Sequence, residues 1–561
     1  MPESGPAVRR AALVSALLTL VARLAYPAHR LFDHDSVQFA LGVLHFDLAA
    51  HQPHPPGYPL YLGLLKLLAA LGVPPLAGMV ALSIAAATAG AYCFALVAAR
   101  LAGEHAAGAA LLAGVLYAFN PLLWFYGELP LVYAVEGGLT AVLAWAALGM
   151  ADGRRRFLVA CLLFAAAGGV RPSTLVLLFP LFLWGLWRAW RRGGFLTWRL
   201  TLAGAALGAA VCVAWLTPLA LAAGGLAAYR EISGQHFATL LPVTSVVYGA
   251  GFGALAHNVE VLVKWALQGL LPAAAAVLVA WAAAWRNAPR RIGDGLRLAL
   301  SRAGFLAAWA VPPILFFALF HVTKAGYTLI HLPAMLAAAV LAATPALAVA
   351  RRRFVVVAVV AVAILVGAGL FVFGNDRRDD QPRWTAVFLH EHNRGDLRAY
   401  ERDLDALIAA LDRYPPEGTF LAAVELAGDG GAGADGFLYP YHRHLQWYAP
   451  EHPLALLVPE QGFAEATAGG RSRFHRVDGT VPVPAGVDRV VFVLARPVGE
   501  RLPLPPAEVV LSNRTFHVLA VRFDGELAVG EGLRLVGEGA GEERDAGVAV
   551  GSGESAAGGS R

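Results

Sequence analysis

The sequence predicts a polytopic α-helical membrane protein followed by a smaller α/β domain. Its 561 residues are 58% hydrophobic and only 15% charged, whereas soluble proteins contain about 25% charged residues. Several uncharged runs, such as 76–99 and 354–374, reach the roughly 20 residues that an α-helix needs to cross a bilayer. From residue 375 onward the charges are mixed and no such run occurs. We therefore assign residues 1–374 to the membrane domain and 375–540 to the second domain.

Hydrophobic segments of the first domain predict about 11 to 13 transmembrane helices, of which eleven can be placed. Their approximate ranges are 11–28, 76–99, 106–125, 134–151, 157–170, 173–187, 200–222, 267–285, 303–320, 327–350 and 354–374. Assigning alternate loops to opposite sides collects most of the arginines on one side, which the positive-inside rule makes cytoplasmic. The N-terminus is then cytoplasmic, whereas the first loop, 29–75, and the C-terminal domain are external.

The stretch 57–72 is the one hydrophobic segment that does not fit this alternation. Counting it as a span would reverse every later loop and place the arginine clusters outside. We therefore predict an interfacial or re-entrant helix, with the Lys66 side chain extended toward the polar interface.

Composition also excludes several other classes of protein. Cys93, Cys161 and Cys212 lie far apart in apolar runs, so they form neither a zinc pattern nor a disulfide framework. The net charge of +5 arises from basic loops between spans, which membrane topology explains without a nucleic-acid partner. The lipid bilayer is the partner that the composition predicts.

The second domain shows both helical and strand patterns. Residues 396–414 have helical periodicity, and four short apolar runs predict strands at 419–426, 454–458, 489–495 and 515–523. Residues 541–561 are rich in Gly, Ser and Glu, a composition typical of a disordered tail.

The densest polar chemistry lies in the first external loop, residues 31–61, which contains three aspartates and four histidines. A solvated loop could carry such residues without any function. Asp33 and Asp35, however, have Asp47 and His54 nearby, and the run HPPGYP at 54–59 restricts the backbone. Acids at the outer membrane face can transfer protons or bind a cation, so we predict a functional loop.

Further ionisable residues fall at the same predicted face. Glu128 lies at the membrane edge and Glu136 deeper, where a charge is costly and usually faces a polar cavity. Arg171, Arg230 and Lys324 are external cations. Each alone would be an ordinary interfacial residue, but together they could bind a phosphate at the membrane surface.

This pattern resembles the GT-C superfamily of membrane glycosyltransferases, which includes protein O-mannosyltransferases and the aminoarabinose transferases of lipid A. The matching residues are DSVQFA at 35–40 and HPPGYPLY at 54–61, a form most similar to a bacterial branch of the superfamily. Trp124, Tyr133 and the run GYTLIHLPAM at 326–335, which contains Tyr327, also match. Leu131 stands where that branch has a glutamate, so Glu128 or Glu136 would take its role. The resemblance covers roughly residues 10–350.

The resemblance implies an enzyme of the bacterial plasma membrane that takes a sugar from a polyprenyl-phosphate donor. Asp35 matches the catalytic aspartate, which would act as a general base in an inverting transfer to an acceptor hydroxyl. His54 matches the basic residue before the two prolines. Asp33 would support Asp35, or both would bind a divalent cation, because some GT-C enzymes use a metal and others do not. The substrate-binding residues that we predict are His54, Glu128, Tyr133, Arg171, Lys324 and Tyr327.

The sequence leaves the acceptor open among a lipid, a glycan and a protein, and the sugar between a hexose and a pentose. Two other functions also stay open. A transporter or flippase for polyprenyl-linked glycans would place charges in mid-span, whereas these gather at one rim. A degenerate GT-C protein that binds the donor without turnover would be compatible with Leu131.

Overall fold

The computed structural model describes residues 5–192, 194–349, 353–374, 391–424, 441–458, 463–468, 471–476, 480–495, 504–529 and 533–538. The chain divides into two compact units, with the main boundary between Ala399 and Tyr400. The predicted disordered tail, 541–561, lies outside the described residues.

The first unit is built from α-helices, as the sequence predicts. They are α1 (Pro6–Leu24), α2 (Asp33–Leu44), α3 (Pro59–Ala70), α4 (Pro75–Ala102), α5 (Ala106–Ala118), α6 (Pro121–Glu128), α7 (Val132–Gly149), α8 (Arg154–Val170), α9 (Pro172–Leu177), α10 (Phe179–Arg192), α11 (Trp198–Ala222), α12 (Leu226–Thr244), α13 (Gly251–Asn287), α14 (Arg290–Ser301), α15 (Ala303–Leu319), α16 (Leu332–Val349) and α17 (Arg353–Val372). A short 3₁₀ helix covers Ala325–Ile330.

Several of these helices are long and apolar enough to cross a bilayer. Within the described ranges, five helical segments meet this condition, and a sixth does if the pair α14 and α15, bent by 61°, counts as one span. The five are Pro75–Ala118, Val132–Asp152, Trp198–Ala222, Gly251–Trp285 and Phe354–Val372. The predicted total of eleven spans, and the side on which each loop lies, stay predictions.

Two predicted spans are broken by proline in the structure. The predicted span 106–125 ends as α5, and α6 begins anew because the Asn120 side chain accepts hydrogen bonds from the backbone N–H groups of Leu122 and Leu123. This is N-capping, and Pro121 suits the first helical position because it needs no N–H donor there. The predicted span 173–187 is divided at Leu178, between α9 and α10, two residues before Pro180.

The stretch 57–72 forms α3, a helix of 12 residues. At 1.5 Å per residue this helix is about 18 Å long, well short of the roughly 30 Å hydrocarbon core. Its length therefore supports the predicted interfacial or re-entrant helix. Lys66 donates a hydrogen bond to the carbonyl oxygen of Val43, 3.1 Å away.

Small residues let the helices of the core approach closely. A Cβ atom added to Gly90 of α4 would lie 2.7 Å from the Cα of Gly138 on α7, so neither position has room for a larger side chain. Close backbone approach through glycine is typical of helix pairs in membranes, where the hydrophobic effect does not drive helix association. This crossing holds α7, which carries part of the candidate site, firmly against α4.

The second unit contains an α/β arrangement, as predicted. Seven strands form one sheet in the order β4-β3-β2-β1-β6-β8-β7, and three form another in the order β5-β10-β9. The strands are β1 (Thr419–Val424), β2 (Leu454–Val458), β3 (Phe463–Ala468), β4 (Arg471–Arg476), β5 (Thr480–Val483), β6 (Arg489–Ala495), β7 (Glu508–Ser512), β8 (Phe516–Arg522), β9 (Glu526–Ala528) and β10 (Arg534–Gly537). All four strands predicted from the sequence are confirmed.

The central strand β1 pairs in parallel with β2 and β6 and is buried on both faces. Leu421 and Ala423 point to one face, which packs against α18 (Arg394–Leu411) and α19 (His442–Tyr448). Phe420, Ala422 and Val424 point to the other face, which packs against the three-stranded sheet. Burial on both faces explains why this strand is a continuous apolar run rather than an alternating one.

Candidate active site

The two acids that the sequence singles out lie in the first turn of α2 and share one lysine. Lys324 Nζ lies 2.6 Å from Asp33 Oδ2 and 2.7 Å from Asp35 Oδ2, and all three side chains are largely buried. The lysine immediately precedes the 3₁₀ helix at Ala325–Ile330. The N-terminus of α2 carries a partial positive charge, which also stabilises both carboxylates. Asp33 has a left-handed backbone, with φ of 71°, a strained conformation of the kind that concentrates at functional sites.

The surroundings separate the pKa values of the two acids. Burial alone would raise the pKa of Asp35, but the charge of Lys324 and the hydrogen bond from Lys324 outweigh it and hold the pKa below its usual range. Burial raises the pKa of Asp33, and the nearby Asp35 charge adds to that effect although Lys324 opposes it. Asp35 is therefore the more acidic member of the pair and the one whose ionised form the surroundings favour.

The lysine bears directly on the possible divalent cation. Its ammonium group lies between Asp33 and Asp35, which is where a metal ion shared by the two carboxylates would have to lie. Among the described residues, no group of three or more His, Cys, Asp or Glu side chains is arranged to hold a metal ion. This donor set does not fit a divalent cation.

His54 is held by hydrogen bonds at both ring nitrogens. Nδ1 lies 2.7 Å from Gln38 Oε1, and Nε2 lies 2.8 Å from the Tyr58 hydroxyl. Burial lowers the pKa of His54 to about 4, although the Asp35 charge opposes this, so the ring is neutral at pH 7. With the Gln38 oxygen as acceptor, Nδ1 carries the proton and Nε2 accepts from Tyr58. The imidazole therefore orders the loop around Asp35.

The HPPGYPLY run packs around one aromatic ring of α2. Phe39 makes edge contacts with the rings of Tyr58 and Tyr61, at centroid distances of 4.9 and 5.2 Å, and lies 5.5 Å from the His54 ring. Tyr58, like Asp33, has a left-handed backbone, with φ of 50°. The run thus fixes the loop against α2, and its residues are adjacent to the acid pair.

Arg171 and Glu136 form a second buried pair. Arg171 Nη1 donates to Glu136 Oε2 at 2.6 Å, and the Thr174 hydroxyl donates to Glu136 Oε1. The guanidinium lies over the Tyr327 ring at 4.8 Å and over the Tyr133 ring at 5.4 Å, which are favourable cation–π distances. The Tyr133 hydroxyl in turn donates to Asp35 Oδ2 at 3.3 Å. Tyr133 thereby connects the two pairs.

Glu128 is not in this cluster. Its Oε1 accepts a hydrogen bond from Trp124 Nε1 at 2.7 Å, and the guanidinium of Arg23 lies 5.4 Å from the centre of the Trp124 ring. Glu136, rather than Glu128, therefore supplies the acid next to the cations of the site. The remaining predicted residues, Asp33, Asp35, His54, Tyr133, Arg171, Lys324 and Tyr327, are brought together.

Sequence reasoning missed four residues of this site. Gln38 and Tyr58 lie inside the motifs that carry the resemblance, and their polar groups next to His54 were the available signal. Thr174 follows Arg171 by one helical turn. His236 of α12, with its ring 6.3 Å from that of His54, gave no signal in the sequence.

Comparison with known proteins identifies the fold. The model of the protein O-mannosyl-transferase TMEM260 N-terminal domain matches residues 47–193. The structure of ArnT from Cupriavidus metallidurans bound to undecaprenyl phosphate has a TM-score of 0.53 at 15% identity, over 90% of this chain and 96% of that one. The same enzyme in the apo state gives 0.52 over the same shares. This chain has the fold of ArnT. No curated protein sequence matches it.

The TMEM260 domain match and the shared ArnT fold confirm the resemblance drawn from the first-loop motifs. The part matched by the TMEM260 domain model contains His54, Tyr133, Glu136 and Arg171. Asp33 and Asp35 precede it, and Lys324 follows it. The acid pair and its lysine therefore lie outside the matched domain, and their candidacy rests on the first-loop motif and on their contacts with one another.

Proposed function

We propose that this GT-C chain is a glycosyltransferase that moves a sugar from a polyprenyl-phosphate donor to an acceptor hydroxyl. One observation carries the proposal. Asp35, an ionised and largely buried carboxylate, is held by Lys324 and Tyr133 in the first turn of α2. The fold shared with ArnT, whose structure was determined with undecaprenyl phosphate, supports this class of donor.

Asp35 is proposed as the general base. The contacts of its carboxylate with Tyr133 and Lys324 both engage Oδ2. Among the described residues no side-chain hydrogen bond to Oδ1 occurs, so Oδ1 can receive the proton of the acceptor hydroxyl. The acceptor oxygen then bonds to the anomeric carbon as the bond from that carbon to the phosphate oxygen breaks. The polyprenyl phosphate leaves with the electron pair, and direct displacement inverts the anomeric configuration.

The leaving phosphate needs positive charge more than it needs an acid. Lys324 and Arg171 are the cations next to Asp35 and Tyr133, and both are proposed to contact the phosphate. His54 was expected to do so as well. With both ring nitrogens occupied and the ring neutral, we propose that it instead orients the loop that carries Asp35.

The remaining parts of the proposal concern the setting of the reaction. The site would open to the outer face of a bacterial plasma membrane, with the N-terminus cytoplasmic and the C-terminal α/β unit external. The distribution of arginines between loops supports this orientation. The sugar would be a hexose or a pentose, and the acceptor a lipid, a glycan or a protein.

The test is turnover by the purified protein with a panel of polyprenyl-phosphate sugars. Asp35→Asn keeps the shape of the side chain and removes the base, so release of polyprenyl phosphate should fall by about 10²- to 10⁴-fold. Asp47→Asn is the matched control because Asp47 lies in the same loop and its carboxylate accepts a hydrogen bond from the backbone N–H of Ala50 rather than from a residue of the site. Equal turnover by wild type and Asp35→Asn would refute the mechanism. Donor binding without turnover by the wild type would indicate a degenerate binding protein.

A further inference from the structure

A second, strongly basic pocket lies on the first unit, among the ends of α4, α10 and α14 and the start of α15. Its volume is about 590 Å³, within the range of small-molecule sites. Its polar lining is dominated by arginine: Arg100, Arg188, Arg191, Arg192 and Arg302. Trp184 and Trp187 form part of its wall.

The positive charge of this pocket is poorly compensated. Asp152 binds Arg100 through two hydrogen bonds of 2.5 and 2.6 Å, and the same carboxylate also accepts from Arg156. In the described part of the chain, neither Arg188 nor Arg191 has an acidic partner within 4.0 Å. Their guanidinium groups lie 5.6 and 5.8 Å from the ring centres of Trp184 and Trp187.

The pocket lies at the opposite helix ends from the acid pair. α8 runs from Arg154 to Val170, directly before Arg171 of the candidate site, and its 17 residues span about 25 Å. α10 follows and ends at Arg192, so its arginines return to the end at which α8 begins. The pocket is thus separate from the donor site.

Exposed apolar side chains adjoin the pocket. Trp187 is 56% exposed, and Leu300, on the amphipathic helix α14 next to the lining residue Ser301, is 72% exposed. Tryptophan is enriched where a protein meets the membrane interface. Guanidinium groups bind phosphate in a planar, two-point geometry. The pocket therefore combines lining cations, apolar side chains beside them and room for a small molecule. These features match a lipid head group whose acyl chains lie alongside the protein.

We propose that this pocket binds the phosphate of an anionic phospholipid head group, in the leaflet opposite the acid pair. Basic pockets between transmembrane helices on the cytoplasmic side are a known setting for such lipids. The site is independent of the proposed transferase reaction and uses none of its residues.

The test is native mass spectrometry of the full-length protein in neutral detergent, titrated with phosphatidylglycerol or with phosphatidylcholine of the same chains. Phosphatidylglycerol should bind at least about tenfold more tightly, because both lipids carry the phosphate but phosphatidylcholine also brings a quaternary ammonium cation, which the arginines of the pocket repel. The double variant Arg188→Gln/Arg191→Gln should lose that preference. Arg154→Gln/Arg199→Gln, which removes the same charge outside the pocket lining, should retain it.

Three outcomes would overturn the proposal. Equal losses in the two double variants would show a general effect of surface charge. Equal binding of both lipids by the wild type would show that the pocket does not select an anionic head group, and this comparison needs no variant to fold. Displacement of phosphatidylglycerol by equimolar inorganic phosphate would show a site for free phosphate rather than for a lipid.

Discussion

At the scale of single residues, the main feature is that one lysine serves two acids of unequal pKa. Lys324 Nζ contacts Asp33 and Asp35 at nearly the same distance. The pKa of Asp35 nevertheless lies below its usual range and that of Asp33 above it. Two neighbouring carboxylates cannot both ionise freely when buried. The arrangement therefore favours ionisation of Asp35, the proposed base, over that of Asp33, and Asp33 helps to hold the lysine in place.

The lysine should control the acid limb of the pH profile. In Lys324→Gln the carboxylate of Asp35 loses its largest favourable interaction while its burial persists, so the pKa of Asp35 should rise. Because the base must be deprotonated, kcat/KM should begin to fall at a higher pH than in the wild type as the medium is acidified. The measurement is kcat/KM for polyprenyl phosphate release across the acid range.

Lys264→Gln is the matched control for this change. Lys264 is also largely buried and has an acidic neighbour, Glu391, with its Nζ 3.9 Å from Oε1, but it contacts neither Asp33 nor Asp35 in the described residues. Its substitution should leave the acid limb unchanged. An unshifted limb in Lys324→Gln would show that Lys324 does not set the ionisation of the base.

At the scale of elements, the 3₁₀ helix at Ala325–Ile330 joins the two pairs of the site. It begins directly after Lys324 and contains Tyr327, over which the Arg171 guanidinium lies. Gly326 lies between these two residues, where a Cβ atom would be 2.5 Å from Tyr133 Cγ and 2.9 Å from Tyr126 Cε1. Only glycine lets this helix approach the two tyrosines so closely.

Gly326→Ala should therefore damage both stability and activity. The added methyl group must displace Tyr133 and with it the hydrogen bond to Asp35, and overpacking of this kind costs about 1–3 kcal/mol. We expect a lower midpoint in thermal unfolding of the detergent-solubilised protein and a lower kcat. Gly369→Ala is the control because a Cβ atom there has no neighbour within 4 Å. Unchanged stability in Gly326→Ala would mean that the tyrosines can move away at no cost.

The sequence predicted elements well where one local signal dominates. The four predicted strands appear because each is an apolar run with a buried face. Strands β3 and β4 were missed because FAEATA and RSRFHR are too polar to predict a strand. Helix α12 was missed for the same reason, since YREISGQHF within it is polar. Asn120 followed by Pro121 is a typical N-cap sequence. The prediction nevertheless ran one span across it, because the residues on both sides are apolar.

The sequence predicted which residues belong to the candidate site, but not which of them contact one another. Each acid and cation stood out because charge is rare in this chain. The partner of Asp35, however, lies 289 residues away along the chain, and no local pattern specifies such a pairing. The same limit applies to Glu128, whose Oε1 accepts a hydrogen bond from Trp124, one helical turn earlier in its own helix. Depth in the membrane could not distinguish it from Glu136.

At the scale of the whole molecule, the orientation in the membrane decides where the reaction takes place. Arginines gather in alternate loops, and the structure places several of them around one pocket at the opposite helix ends from the acid pair. Both observations agree with one orientation, in which the acid pair faces outward. An odd number of spans would then place the C-terminal α/β unit on the same external side.

Labelling of introduced cysteines in intact cells tests this orientation directly. Asp412→Cys, at an exposed position in the second unit, should react with a membrane-impermeant maleimide before lysis, whereas Arg154→Cys, at the exposed start of α8, should react only after lysis. The native cysteines Cys93, Cys161 and Cys212 lie within the apolar helices α4, α8 and α11. A variant in which all three are replaced by serine gives the background. Reaction of Arg154→Cys in intact cells would reverse the orientation, and protection of Asp412→Cys alone would make the number of spans even.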